Sequence, residues 1–174
     1  MPRGDKKIVP KFLIPYAPKD IQKIVIKEWF AVDGEYKQNE QVYNKEQERL
    51  KSIFDEIRNN SHSGYISVPL EELLLDVQGN ATKIPKREIL KTGTTPVITQ
   101  EMGTLISGYT DNPTPITDIP LIVFGDHSCS VKYIDFPFVR GADGTQLIKV
   151  DKNVLLPKYL YGYLLTLDIH NAGK

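Results

Sequence analysis

Cysteine is almost absent from this sequence, since Cys129 is the single one among 174 residues. One cysteine excludes a framework of internal disulfides and is typical of a reducing compartment. Long apolar runs are also missing: none approaches the roughly 20 residues that cross a bilayer. The opening MPRGDKKIVPK lacks the apolar core of a signal peptide. These absences predict a cytoplasmic protein with no membrane partner.

An excess of either charge sign is missing as well, because 22 basic residues balance 22 acidic ones. The chain therefore lacks the overall positive field that attracts nucleic acid at long range. A hydrophobic content of 40% beside 25% charged residues indicates a folded globular chain. Its length allows one ordinary domain plus an additional element.

A stretch without proline runs from Lys19 to Arg58, holds one glycine, and is dense in Glu, Gln, Lys and Arg. These residue types favour helix, and the larger apolar residues recur at seven-residue spacing. One helix over residues 19–60 would be about 60 Å long and would need another helix against its apolar stripe. The predicted coiled-coil interface consists of Val25, Trp29, Val32, Tyr36, Tyr43, Leu50, Ile53 and Ile57.

From residue 61 the pattern changes to short apolar runs separated by Gly, Pro, Asn and Asp. Runs such as TPVITQ, IPLIVFG and VKYIDFPF predict strands. Residues 70–77 are predicted as a short helix and residues 156–167 as a closing helix, with Pro157 in its first turn. The predicted fold class is therefore α+β: a long N-terminal coiled-coil-type helix, then a compact, mainly antiparallel β-rich domain.

The stretch VFGDHSCSVKYIDFPF places Asp126, His127, Ser128 and Cys129 in a row between two predicted strands. Successive residues of an extended chain point to alternating faces, so these four cannot converge as a catalytic triad. His127 and Cys129 share a side but lack a third group to orient the histidine. The three histidines are scattered, without ligand spacing. We expect no catalytic residue and no metal, which leaves a structural turn or a binding turn.

A local basic segment, ATKIPKREILKTGTTP, carries four cations against one acid. It is either a solvated face or a surface that contacts the phosphates of DNA, which position a protein without reading sequence. The candidates for phosphate contact are Lys83, Lys86, Arg87 and Lys91.

Four segments, in order, resemble the target-recognition half of the DNA-specificity subunit of Type I restriction–modification systems. GTTPVITQEMGTLISGYT resembles the family's Gly-x-x-Pro-Val-Ile-Thr segment and the Gly-Tyr loop after it. PLIVFGDHSCSVKYIDFPFVRGADGTQLIK resembles its strand–turn–strand element followed by Pro-Phe and an Asp-Gly turn. LLPKYLYGYLLTL resembles its Tyr-rich closing helix, and FLIPYAPKDIQKIVIKEWF resembles the segment that opens its spacer helix.

The resemblance implies sequence-specific recognition of double-stranded DNA by a non-catalytic subunit without a cofactor of its own. The implied partners are a DNA adenine methyltransferase subunit, which would carry S-adenosylmethionine, and a restriction subunit with nuclease and translocase activity. A second spacer helix would come from self-association or from the rest of a longer chain. Side chains of the right chemistry follow predicted strands, since Gln and Glu can pair with adenine and cytosine edges. The candidates for base contact are Thr99, Gln100, Glu101, Tyr109, Thr110, Asp126, His127 and Ser128.

In this scheme residues 1–18 are the tail of a preceding unit, residues 19–60 the spacer helix and residues 61–174 the target recognition domain. The family usually has two of each, so the chain is expected to be a half-subunit or the C-terminal part of a longer polypeptide. Three alternatives stay open. They are the specificity region of a fused methyltransferase–endonuclease, a homodimeric interaction module that does not bind DNA, and an enzyme that uses Cys129.

Overall fold

The computed structural model describes residues 12–36, 40–59, 66–77, 83–111, 114–142 and 144–167, and describes no side chain from residue 30 to residue 43. These residues form two compact units. The helical unit contains residues 12–74 and 150–167, and the sheet unit contains residues 75–149. The predicted tail at residues 1–18 therefore lies largely outside the described residues.

Two helices replace the one long helix that the sequence predicts. Helix α1 spans Lys19–Tyr36 and helix α2 spans Glu40–Asn59, so both outer ends agree with the predicted limits. The Nη2 atom of Arg49 lies 3.7 Å from Oε2 of Glu28. Along one straight helix about 30 Å would separate these positions. The two helices therefore fold back against each other, and the prediction of a continuous helix is wrong.

The apolar stripe is largely buried within this one chain. Val25, Trp29, Leu50 and Ile57 are at most 7% exposed, and Ile53 is half-buried. Seven-residue spacing thus marks faces of α1 and α2 that the same chain covers. The side chains of the three other predicted interface residues, Val32, Tyr36 and Tyr43, lie outside the described residues.

A third helix, α3 at Pro157–Thr166, packs on both helices of the pair through aromatic rings. The ring of Tyr161 lies 5.6 Å from that of Trp29 on α1. The ring of Tyr159 lies 5.1 Å, edge to face, from that of Phe54 on α2. Such pairs contribute beyond the apolar area that they bury, so α3 holds the two helices together.

The first two strands, β1 at Leu13–Tyr16 and β2 at Ile66–Pro69, form an antiparallel pair in the helical unit. The hydroxyl groups of Tyr159 and Tyr163 donate hydrogen bonds of 2.8 and 2.9 Å to main-chain carbonyl oxygens of β1. Helix α3 is thus hydrogen-bonded to a strand that lies about 150 residues earlier in the sequence.

The sheet unit contains two three-stranded sheets. One has the order β4-β3-β7, in which β3 pairs antiparallel with β4 and parallel with β7; the other has the order β6-β5-β8 and is antiparallel. The bounds are Thr95–Ile98 for β3, Gly108–Thr110 for β4, Leu121–Gly125 for β5, Val131–Ile134 for β6, Val139–Arg140 for β7 and Thr145–Ile148 for β8. Their shared core consists of Ile98, Ile116, Leu121, Val123, Ile134 and Phe138. The chain is therefore α+β with mainly antiparallel pairing, as the sequence predicts.

The segment between the units differs from its prediction. Residues 70–77 are predicted as a short helix, but the described structure is a 3-10 turn at Leu70–Leu73. Leu74 then forms an antiparallel bridge with Val150, and the Leu75 N–H donates to the Lys149 carbonyl at 2.9 Å. The backbone segments that leave and re-enter the helical unit therefore run side by side.

Candidate functional site

A depression in the sheet unit brings together residues from separate parts of the sequence. It has a volume of about 700 Å³ and we call it the main depression. It is lined by Ile84, Lys86, Ile89, Thr99, Gln100, Glu101, Met102, Ser107, His127, Ser128, Gly141 and Ala142. Five of the eight base-contact candidates and one of the four phosphate-contact candidates are among them.

The turn after β3 is fixed by hydrogen bonds to Ser107 in the following loop and to Lys132 on β6. The Thr99 hydroxyl lies 2.6 Å from the Ser107 hydroxyl across the loop, and it accepts the Glu101 N–H at 3.2 Å. Beneath it, the Lys132 amine donates to the Thr99 carbonyl oxygen at 2.8 Å. These bonds fix the backbone, which leaves the Glu101 side chain exposed at the rim.

Gln100 joins this turn to the turn after β5. Its Oε1 atom accepts the backbone N–H of His127 at 3.1 Å, and its carbonyl oxygen accepts the Ser130 hydroxyl at 3.0 Å. Gly144 lies directly against the pair: a Cβ there would approach Gln100 Nε2 to 2.6 Å and His127 Nδ1 to 2.9 Å. The Oε1 atom of Gln100 is therefore engaged in a hydrogen bond within the protein.

The turn after β5 depends on close backbone approach. A Cβ at Gly125 would lie 2.3 Å from the Ser128 hydroxyl oxygen and 2.7 Å from Gln100 Cβ. Asp126 is 5% exposed and accepts a 2.5 Å hydrogen bond from the Gln146 amide. The Asp126 carboxylate thus stabilises the fold, while the neighbouring His127 side chain is exposed in the main depression.

Three base-contact candidates lie outside the main depression: Asp126, Tyr109 and Thr110. Tyr109 and Thr110 belong to strand β4, so the prediction that they lie in a loop after a strand is wrong. Thr110 is 7% exposed. Tyr109 is half-buried and exchanges backbone hydrogen bonds of 2.8 and 2.9 Å with Leu90. It lines a neighbouring cavity of about 380 Å³, the side depression, together with Lys91.

The basic segment forms an exposed edge beside both depressions. Its backbone is anchored because the Ile84 N–H donates to Arg140 and the Ile84 carbonyl accepts from Ala142. All four cations are exposed. Lys86 lines the main depression and Lys91 the side depression, whereas the Arg87 side chain lies 3.6 Å from the Glu88 carboxylate.

Lys132 was missed by inspection of the sequence, although the signal for it is present. On β6 it alternates in phase with Ile134, and both are buried. A lysine at an inward strand position needs an acceptor, because an unpaired buried cation is costly. Burial lowers the pKa of the Lys132 amine, against a smaller opposing effect of the Glu101 carboxylate.

The geometry around Cys129 offers little to nucleophilic chemistry. Its backbone takes a left-handed conformation with φ of 53°, and its N–H donates to the Gly125 carbonyl at 2.9 Å. Burial raises the pKa of the Cys129 thiol, which lowers the fraction of reactive thiolate. Among the described residues there is no group of three or more His, Cys, Asp or Glu side chains that could hold a metal ion.

Comparisons with protein-family models, with curated proteins and with solved structures give no match for this chain. Within the described ranges, no helix combines the length and the apolar character needed to span a membrane.

Proposed function

We propose that this chain is the specificity subunit, or half of one, of a Type I restriction–modification complex, and that its main depression contacts double-stranded DNA. One observation carries the proposal: exposed side chains of Lys86, Glu101 and His127, from three separate segments, line a single open depression. Convergence of a cation with exposed donors and acceptors on a rigid sheet is what base recognition requires.

Each of these side chains has a matching partner on DNA. The Glu101 carboxylate accepts hydrogen bonds, as the exocyclic amine of cytosine requires, and the His127 ring can donate to guanine acceptors. Lys86, which is exposed in the same depression, would contact phosphate. Gln100 keeps its Nε2 donor for a base, while its Oε1 atom is engaged by the His127 backbone.

The resemblance in sequence supplies the partners that complete this proposal. A DNA adenine methyltransferase subunit would bind S-adenosylmethionine and supply positive surface that this neutral chain lacks. A restriction subunit would cleave, so the chain itself would do no chemistry. Residues 19–60 would act as the spacer in the form of the α1–α2 pair, and residues 61–174 as the target recognition domain, of which residues 66–74 and 150–167 pack in the helical unit. The chain would act in the cytoplasm.

The homodimeric module without DNA binding is the competing function, and burial of the stripe argues against it. Trp29 and Leu50, two residues of the predicted interface, are at most 5% exposed in the single chain. A dimer would have to use other surface, such as the exposed face of α1 around Ile24, which is 52% exposed.

Selection from a randomised duplex library tests the proposal. The tagged chain, purified from its own host with the proteins that copurify, is expected to enrich one short sequence. His127→Ala and Glu101→Ala should each relax preference at one position by about 1–3 kcal/mol. Glu72→Ala, an exposed acid of the helical unit, is the matched control and should leave the preference unchanged. Enrichment of no sequence would contradict DNA recognition.

Salt dependence separates the phosphate contacts from the base contacts. Lys86→Ala should weaken binding to all duplexes similarly and lower the slope of log affinity against log salt by about one. Lys27→Ala, an exposed lysine on α1, provides the comparison. An unchanged slope in Lys86→Ala, with loss at one sequence position alone, would reassign Lys86 to base contact.

A further inference from the structure

The loop between β3 and β4 carries an unusual concentration of exposed apolar side chains. In the described part of the sheet unit, the exposed large hydrophobic residues number five, and four of them belong to this loop or its flank. Met102 is 67% exposed, Leu105 46% and Ile106 37%, and the adjacent Leu90 is 45% exposed. Exposed apolar groups that cluster, rather than scatter, mark contact surfaces.

The loop is held firmly at its base and open at its tip. At the base, Thr99 and Ser107 join their hydroxyl groups at 2.6 Å, and the Ser107 N–H donates to the Val97 carbonyl at 2.9 Å. At the tip, Gly103 has φ of 81°, and a Cβ there would meet nothing within 4 Å. The fold thus presents Met102, Leu105 and Ile106 on a fixed support without using them as core.

Each of the two depressions that border this loop contains a lysine. The main depression contains Met102 and Lys86, the side depression contains Ile106 and Lys91, and Ile89 and Ser107 line both. The loop is therefore apolar and adjoins two depressions, each of which contains a lysine. Its occupant must offer apolar groups between two anionic edges, which is how the major groove of DNA presents thymine methyl groups between phosphate backbones.

We infer that residues 102–106 are an apolar recognition loop that contacts the methyl groups of thymine in the major groove, while Lys86 and Lys91 contact the flanking phosphates. The inference rests on the proposed function and adds to it the chemical group that the loop recognises, the methyl group of thymine. The target site contains thymine next to the position that Glu101 contacts, because Met102 follows Glu101 directly in the chain.

Replacement of thymidine by deoxyuridine isolates this contact, since the two nucleosides differ only by the methyl group on the base. The probe is the duplex enriched from the randomised library, with each thymine exchanged in turn. Wild-type binding should fall about fourfold at one or two positions, the effect of one buried methyl group. Met102→Ser or Leu105→Ser should abolish that difference while keeping the melting temperature, because both residues are exposed.

Leu75→Ser is the matched control: Leu75 is 47% exposed in the same unit and lines neither depression. It should retain the full sensitivity to deoxyuridine. Equal binding of thymine and deoxyuridine duplexes by the wild type would overturn the loop's assignment and leave DNA recognition standing. Loop variants that keep the wild-type difference would overturn the assignment in the same way. Failure to enrich any duplex would instead remove the proposed function, and the inference with it.

Discussion

The Lys132 amine lies 2.8 Å from the carbonyl oxygen of Thr99 and joins the two sheets beneath the main depression. Lys132 belongs to β6, whereas Thr99 follows β3 in the other sheet. With 7% of its surface exposed, the lysine holds the turn after β3 from a buried position.

Lys132→Met should therefore destabilise the protein, because it removes the donor and leaves the Thr99 carbonyl without that partner. We expect a loss of about 1–3 kcal/mol in the free energy of unfolding, measured by urea denaturation. Lys51→Met, an exposed lysine on α2, should change stability by less than about 0.5 kcal/mol. Equal stabilities of the two variants would show that the buried bond contributes nothing net.

The same lysine predicts a dependence of stability on alkaline pH. Burial lowers the pKa of Lys132 below the ordinary 10.5, so between the folded pKa and 10.5 the unfolded chain binds more protons than the folded one. In that window the lysine's contribution to the free energy of unfolding rises with pH. The stability of wild type minus that of Lys132→Met should therefore increase as pH rises through the window and stay constant below it. Parallel curves across the window would contradict the lowered pKa.

Two substitutions at Gln100 separate its structural contact from contact with a base. Gln100→Ala removes the Oε1 acceptor of the His127 N–H and should lower the melting temperature and weaken binding to all duplexes. Gln100→Glu keeps the acceptor but loses the Nε2 donor, so it should keep the melting temperature and change preference at one position. Site selection beside thermal melting measures both effects. If Gln100→Glu leaves the preference intact, the residue is a turn stabiliser alone.

The junction of α2 with α3 is expected to be essential to the helical unit. Phe54 is fully buried and meets the rings of Tyr159 and Tyr163 at 5.1 Å each. Phe54→Ala should cost about 3–5 kcal/mol, seen as a lowered urea midpoint. Ile24→Ala, on the exposed face of α1, is the control and should change little. A small effect of Phe54→Ala would mean that α3 does not hold the pair together.

The helix pair shows what seven-residue periodicity can and cannot predict. The stripe correctly predicts helix over Lys19–Tyr36 and Glu40–Asn59, and its residues Trp29 and Leu50 are buried within the single chain. It does not say where the partner helix comes from, because a helix that folds back supplies the same apolar face as a second chain. A contact such as Glu28 with Arg49 becomes visible only in three dimensions.

The sequence predicts which residue types occur at the candidate site. It does not predict which of their side chains face the depression and which stabilise the fold. The predicted polar turns after β3 and β5 contribute residues to the main depression, whereas Tyr109 and Thr110 lie within strand β4. Whether such a side chain faces outward, as His127 does, or inward, as Asp126 does, depends on partners far along the chain such as Gln146. Met102 passed unnoticed because a single methionine in a sequence carries no sign of exposure.

The hydrogen bonds between α3 and β1 cannot form until all the residues between them have been translated. Residues 75–149 are all translated before α3, so this part of the sheet unit is synthesised while the helical unit still lacks its third helix. Until α3 is translated, the faces of Trp29 and Phe54 that it covers stay open to solvent and to other nascent chains. Exposed apolar surface of this kind promotes aggregation, so we expect the helical unit to be most prone to aggregation in the interval between translation of α2 and translation of α3.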